Sequence, residues 1–348
     1  MTLSDSNQVD QLDEQVLAEY LTQHLPDFKG PVSATKFAGG QSNPTFKLQT
    51  SDRTYVLRRQ PPGKLLKSAH AVDREYKVLA ALQHANVPVA KVYHLCEDPS
   101  VIGSLFYIME YVEGRVFWDS SLPEITSSDI RGQMYQQMAE VLVALHSVDI
   151  EKVGLGDYGR PGNYFERQLS RWGQQYTLSE THEIAEMDQL IAWLNAHLPA
   201  DDGKVSLVHG DYRMDNLMFH VSEPKIVAVL DWELSTLGHP YADLAYQCMQ
   251  LRLPENVGKA TGLGGVDRAP LGIPTEQEYV ATYCRLMGID NIPNWNFYLA
   301  FSFFRLAAIA QGVAKRAQDG NASNKEAMKV GAIVQPLAQY ALQLTQGR

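Results

Sequence analysis

The sequence predicts an α+β fold in two lobes, a small sheet-rich one over residues 1–111 and a larger, mostly helical one over residues 112–348. Three observations point there. A chain of 348 residues is longer than one compact core usually holds. The first 111 residues contain five short runs of strand composition. Beyond Val112 the apolar positions recur every three or four residues through most of the chain.

Leu12, Val16, Tyr20 and Leu21 recur at helical spacing and predict a leading amphipathic helix. "SATKFAGG", "SNPTFKLQT" and "TYVLRR" follow as three strands, the last two joined by a turn at Ser51-Asp52-Arg53. Arg58 and Arg59, at the end of "TYVLRR", should point to opposite faces, with Arg59 toward solvent. "PPG" at 61–63 interrupts the chain before a helix from about Ser68 to His84, whose stripe is Val78, Leu79 and Leu82. Glu75 belongs to that stripe. A carboxylate facing inward is costly unless paired, so it demands a cation. "AKVYHL" and "SLFYIMEYV" complete the strands of the small lobe.

Strong helical periods then run through Ile130–Leu145 and Phe165–Tyr176, with further helices near 183–198, 240–251, 275–287, 295–317 and 325–345. "NFYLAFSFFRLAAIAQGVA" is the most apolar stretch, but it carries Arg305 and Gln311, which favours a buried core helix over a membrane span. The Gly/Pro-rich stretch 254–274 is too long for a mere connector and could cover a bound molecule with Lys259 and Arg268.

Composition narrows the function classes. A formal charge of −10 argues against a nucleic-acid-binding surface, which needs clustered Lys and Arg. Cys96, Cys248 and Cys284 are far apart without a C-x-x-C pair, so neither a disulfide framework nor a zinc site is indicated. The acidic, polar start "MTLSDSNQVDQLDEQ" is no signal peptide, and a cytoplasmic protein without a membrane partner is expected.

One island of strands interrupts the helices. In "LVHGDYRMDNLMFHVSEPKIVAVLDWE" (207–233), "LMFHV" and "IVAVL" flank the turn "SEPK" and should pair as a hairpin. Pairing Val221 with Ile226 brings Leu217 opposite Leu230 and sets Asn216 beside Asp231 at the open end. An amide oxygen and a carboxylate on adjacent strand ends form an oxygen site suited to Mg2+. Asp211, five residues before Asn216, could accept a proton from a hydroxyl. That arrangement is what phosphoryl transfer from metal-bound ATP requires. The plainer alternative is a set of polar residues that only terminate strands.

"HGDYRMDN" resembles the H-G-D-x-x-x-x-N catalytic loop of the aminoglycoside phosphotransferase family, protein-kinase relatives that phosphorylate small molecules, and "DWE" resembles its version of D-F-G. The resemblance runs from about Phe37 to Tyr246. "GLGDYGRPGNYFERQLSRW" and "VLDWELSTLGHPYADLAY" are similar to signatures of the kinase-like domains fused to acyl-CoA dehydrogenases. The resemblance implies a two-lobed protein-kinase-like fold, with a five-stranded antiparallel sheet in the small lobe. It implies Asp211 as the catalytic aspartate and Asn216 and Asp231 as Mg2+ ligands. His209 would hold the loop by hydrogen bonds rather than act as base, and Arg213 could neutralise the migrating phosphoryl group. Glu233 could touch a second metal or brace the loop.

For the nucleotide, the resemblance implies Arg58 in place of the phosphate-pairing lysine, with Glu75 as its partner. Gly39, Gly40, Ser42 and Asn43 of "FAGGQSNPTFKL" would approach the phosphates. The Glu110 carbonyl and Val112 amide of "IMEYVEG" would meet the adenine edge. The chain departs from protein kinases at Gly210, where the Arg of H-R-D is missing, and in having no A-P-E motif after "DWE". Asp243 is expected to organise the start of the helix that follows. Little room is left for a peptide substrate, so a small-molecule hydroxyl acceptor is expected. Arg160, Arg167 and Arg171 favour an anionic one, such as a hydroxylated acyl-CoA, over a polycationic antibiotic, unless they are merely a solvated basic face. A catalytically weak pseudokinase serving as a regulatory module, and an aminoglycoside-modifying kinase, stay as alternatives.

Overall fold

Asp13 caps helix α1 (Glu14–His24), its carboxylate accepting from the Val16 amide at 3.0 Å. The computed structural model in which this is seen describes residues 12–37, 43–61, 70–254, 262–319 and 330–346. Leu17 and Leu21 form the buried face of α1, whereas Val16 is exposed. The helical stripe is therefore rotated from the one the spacing predicts.

Strands β1 (Ser33–Lys36), β2 (Thr45–Gln49), β3 (Thr54–Arg59), β4 (Val92–Cys96) and β5 (Phe106–Glu110) form one sheet in the order β1-β2-β3-β5-β4. Every pairing is antiparallel, as the five-stranded sheet requires. Phe46, Leu48, Leu57, Phe106 and Ile108 pack with Leu17 and Leu21 of α1. Helix α2 (Val72–Leu82) buries Val72, Val78, Leu79, Leu82 and, among them, Glu75.

Arg59 corrects one expectation. It does point away from Arg58, but it is buried rather than solvent-facing. Its guanidinium lies 5.3 Å over the Phe46 ring and donates to the Ile102 carbonyl at 3.4 Å. Phe46 belongs to the cluster that α1 packs against, so the second face of the sheet is covered here.

The rest of the chain is mostly helical: α3 (Ser128–His146), α4 (Tyr164–Ser179), α5 (Ala185–Ala196), α6 (Tyr241–Arg252), α7 (Glu276–Met287), α8 (Trp295–Gln318) and α9 (Val334–Thr345). Helix α8 is long and apolar enough to cross a membrane, yet 78% of its apolar window is buried inside the protein. Phe165 of α4 meets Phe297, Tyr298 and Phe301 of α8 at ring distances of 5.7, 4.9 and 5.3 Å.

The island of strands is present within this helical body. β7 (Ser206–Val208) pairs with β10 (Thr236–Gly238), and β6 (Arg115–Val116), β8 (Leu217–Phe219) and β9 (Ile226–Val229) form a second small sheet. The β8–β9 hairpin is there, but in a different register. Leu217 faces Val229, not Leu230, and a bulge between Met218 and Phe219 sets Phe219 opposite Ile226. His220 already lies in the turn, its amide donating to the Lys225 carbonyl at 2.8 Å, and Val221 is exposed. The bulge takes up the extra residue and keeps both Leu217 and Val229 buried.

Candidate active site

Leu207 and Val208 are fully buried, so β7 delivers the chain from the core directly into the loop 209–216. The loop turns at Gly210 with φ +84, in the left-handed region, where a Cβ would lie 2.7 Å from the Leu234 carbonyl oxygen. One carboxylate holds both amides at the turn. Asp243, in the first turn of α6, accepts from His209 N at 2.6 Å and from Gly210 N at 2.8 Å, with His146 Nε2 at 3.5 Å. It stands in the first turn of its own helix, as expected, and also fastens another element. Burial works to raise the Asp243 pKa, but hydrogen bonds and the charge of His146 hold it below the ordinary carboxylate value.

His209 is fully buried. Its Nδ1 accepts from the Asp211 amide at 3.2 Å, which leaves Nε2–H to donate to the Leu230 carbonyl at 2.8 Å. Both nitrogens are engaged, so the ring braces the loop against the end of β9. Leu230 N in turn donates to the Asn216 carbonyl at 2.8 Å, placing the end of β9 beside Asn216 despite the shifted register.

Asp211 and Asn216 are in contact. The Asn216 Nδ2 donates to the Asp211 backbone oxygen at 2.8 Å and to its Oδ2 at 2.9 Å, so the amide Oδ1 is its remaining acceptor. Arg213 Nε stands 3.4 Å from Asp211 Oδ1, and its NH2 3.0 Å from Asp215 Oδ2. Asp215 is buried, and that burial raises its pKa against the opposing effect of Arg213. Tyr246 of α6 lies within range of the Asp211 charge; burial and that charge push its phenol pKa up.

Asp231 follows β9 in a left-handed conformation, φ 61, which aspartate tolerates better than most residues. Its Oδ1 receives Arg58 NH2 at 2.7 Å. Arg58 Nε lies 2.7 Å from Glu75 Oε2. Burial alone would lower the Arg58 pKa, but Glu75, Tyr107 and Asp231 together raise it, so the cation is secure. Glu75 also accepts from Tyr107 OH at 3.1 Å and Asn43 Nδ2 at 2.7 Å.

Asn43 is therefore placed differently from the expectation. It is fully buried, with Oδ1 also 3.0 Å from His70 Nδ1, and it serves the buried carboxylate rather than facing a phosphate. Gly39, Gly40 and Ser42 lie outside the described residues, as does Lys259. Arg268 caps the end of α6 by donating to the Leu251 carbonyl. Glu110 closes β5, and its amide donates to the Lys91 carbonyl at 2.7 Å; Val112 lies just beyond, half-buried. Glu233 is exposed in the 3-10 turn Trp232–Leu234.

Arg160, Arg167 and Arg171 share an open groove of about 550 Å3, with Glu166 and Ser170 among its other walls. Arg167 is committed to the loop before α4, donating to the carbonyls of Arg160 at 2.6 Å and Pro161 at 3.5 Å. That loop is tied to the site's flank. Tyr158 OH meets Ser235 Oγ at 2.7 Å, and Arg74 of α2 donates to the Tyr158 carbonyl at 2.9 Å.

Several residues of this constellation escape sequence reasoning. Asp215, Tyr246 and the reach of Asp243 depend on tertiary placement. Tyr107 has a readable signal: it is the register partner of Arg58 on β5, so it shares the face that Glu75 approaches. Among the described residues no group of three or more His, Cys, Asp or Glu could hold a metal by itself. The oxygen donors at Asn216 and Asp231 fit a hard cation that takes its other ligands from phosphates.

The pattern of the phosphotransferase enzyme family (APH) matches residues 33–271. Acyl-CoA dehydrogenase family member 10 of Mus musculus is 48% identical over 312 residues, 90% of this chain and 29% of that protein. Acyl-CoA dehydrogenase family member 11 of Homo sapiens is 44% identical over 338 residues, 96% of this chain and 43% of that protein. The chain thus spans less than half the length of these relatives. Among solved structures, a candidate aminoglycoside phosphotransferase from Ralstonia eutropha has a TM-score of 0.89 at 49% identity, covering 97% of this chain and 99% of that one. A thermostable mutant aminoglycoside phosphotransferase in ternary complex with ADP and hygromycin B has a TM-score of 0.61 at 16% identity, covering 95% and 98%, a likeness of fold.

Proposed function

The chain belongs to the phosphotransferase enzyme family, and from that premise we propose that it moves the γ-phosphoryl group of ATP to a hydroxyl of a small molecule. The observation that carries this reading is the contact of Asp211 with Asn216 beside an Asp231 held at the end of β9. Asp211 accepts the proton of the acceptor hydroxyl as its oxygen bonds to the γ-phosphorus and the bond to ADP breaks. Asn216 and Arg213 hold the carboxylate in place. Arg213 also lies where positive charge offsets the transferring group. His209 and Asp243 position the loop. Arg58 grips nucleotide phosphate, Glu75 keeps it oriented, and the Glu110–Val112 strand end meets the base. Asn216 Oδ1 and Asp231 would hold Mg2+, whose charge offsets that of the phosphates when bound. The division into lobes at residues 111 and 112 belongs to the same proposal.

For the acceptor, we favour a hydroxylated acyl-CoA or a related molecule over an antibiotic. Two things support it: the relatives named as acyl-CoA dehydrogenase family members, and the groove bearing Arg160 and Arg171, suited to phosphate-rich tails. A nucleotide-binding module without transfer has one observation in its favour, the Arg58–Asp231 ion pair, which engages a metal-ligand position. Measuring ADP release with hydroxyacyl-CoAs, sugars, choline-like alcohols and aminoglycosides tests both. Transfer to one class, lost in Asp211→Asn, is expected. Nucleotide binding with no ADP release from any acceptor would favour the binding module.

A further inference from the structure

Arg305 sits in the middle of α8, 92% buried by its relative exposure of 8%, with Phe304 and Ala308 fully buried beside it. Its guanidinium lies 5.3 Å from the ring centre of Tyr246 and 5.7 Å from that of Trp172. Tyr164 is within the range of the same charge. Among the described residues no carboxylate pairs with it and no carbonyl accepts from it. The other buried arginines are all served: Arg58 by Glu75 and Asp231, Arg59 by Ile102 and Phe46, Arg213 by Asp211 and Asp215.

Aromatic faces attract a guanidinium but offer its five N–H donors no acceptor, and no Arg305 nitrogen is among the fully buried unpartnered atoms, so the guanidinium keeps some access to solvent. The position of this charge suggests why it is kept. Arg305 lies over the Tyr246 ring, and the phenol is within range of the Asp211 charge, so the reacting carboxylate and the buried cation act on one side chain. Arg305, Tyr246, Tyr164 and Trp172 each keep 6–8% exposure.

We infer that Arg305 is a specificity-determining anchor for an anionic group, carboxylate or phosphate, carried by the acceptor one aromatic ring away from its reacting hydroxyl. The placement of the hydroxyl rests on the phosphotransfer reading; the anion site does not. Arg160 and Arg171 would then meet a remote part of the acceptor, and Arg305 the part next to the alcohol.

The test is equilibrium titration of the whole chain with Mg·AMP-PNP present. The probes are ω-hydroxycarboxylates of increasing length, each paired with its methyl ester and diol, together with glycerol phosphate and inorganic phosphate. Acids or phosphates should bind wild type at least about ten-fold tighter than their neutral partners. Arg305→Met should abolish that preference, and Arg305→Lys, which keeps the charge without the planar fork, should retain part of it. Equal binding of acid and ester by wild type overturns the inference, as does a preference that survives Arg305→Met. If Arg305→Met does not fold, the wild-type comparison and Arg305→Lys still decide. The relative strength of the carboxylate and phosphate arms identifies which anion is read. ADP release measured with ATP on the same acceptors separates the two proposals. Anion preference without ADP refutes phosphotransfer alone, and transfer to acids and esters alike refutes the anchor alone.

Discussion

Arg58 and Asp231 stand 173 residues apart in the chain and 2.7 Å apart in space. Because Arg58 also lies 2.7 Å from Glu75, one guanidinium joins strand β3, helix α2 and the end of β9. Replacing it with methionine strands Glu75, which is only 2% exposed. Arg58→Met should lose about 3–5 kcal/mol of stability, the usual effect of breaking a buried pair. Adding Glu75→Gln should recover part of that loss. Urea denaturation of the two single variants and the double variant reads the coupling, and additive losses would show that the pair does not act as a unit.

Asp211→Asn keeps the shape of the side chain and removes its basicity. Turnover should fall about a thousand-fold or more while the nucleotide dissociation constant changes little. Single-turnover kinetics beside nucleotide titration checks this, and unaltered turnover would discard Asp211 as the base.

Arg213→Ala removes the cation that, among the described residues, pairs with both Asp211 and Asp215. A drop of about 100-fold in kcat with a nearly constant KM for nucleotide is the expected signature. A loss confined to nucleotide KM would instead make Arg213 a nucleotide contact.

Acid sensitivity should reside partly in Asp243. Its native pKa is lowered, so the unfolded chain, whose aspartates titrate near about 3.9, binds that proton more readily than the folded one. The stability it contributes is complete above that ordinary value and is lost as the pH falls below it toward the lowered native value. Asp243→Asn should cost about 1–3 kcal/mol at neutral pH and flatten the acid limb of the stability curve. Denaturation series across acid and neutral pH report both effects; parallel curves for the two proteins would contradict them.

Gly210→Ala combines a left-handed backbone with a collision at the Leu234 carbonyl. A loss of about 1–3 kcal/mol should be accompanied by reduced turnover, because the shifted residue carries Asp211 next to it. Thermal melts and kinetics on one preparation test the linkage.

The sequence makes the partners of this site legible where local rules force them. Two apolar runs around a short turn must form a hairpin, so Asn216 meets the end of β9. A carboxylate on an apolar stripe must find a cation, and Arg58 ends the nearest strand. Register is less legible, because the Met218–Phe219 bulge follows from how the turn closes and not from residue count. Arg59 misleads because alternation assigns a face without saying what covers it. Asp243 and Tyr246 are hardest to read: helix α6 is buried along nearly its whole length, so no periodicity singles out the side that touches the loop. Gly39, Gly40 and Ser42 stay expectations.

Asp243 gives the loop around Asp211 the rigidity of helix α6, since both amides at its turn end on that one side chain. Under the proposed phosphotransfer, the proton acceptor therefore travels with the helices as a fixed anvil. On that reading, adjustment to molecules of different thickness would fall to the sheet, whose Arg58 has two carboxylate partners, Glu75 and Asp231.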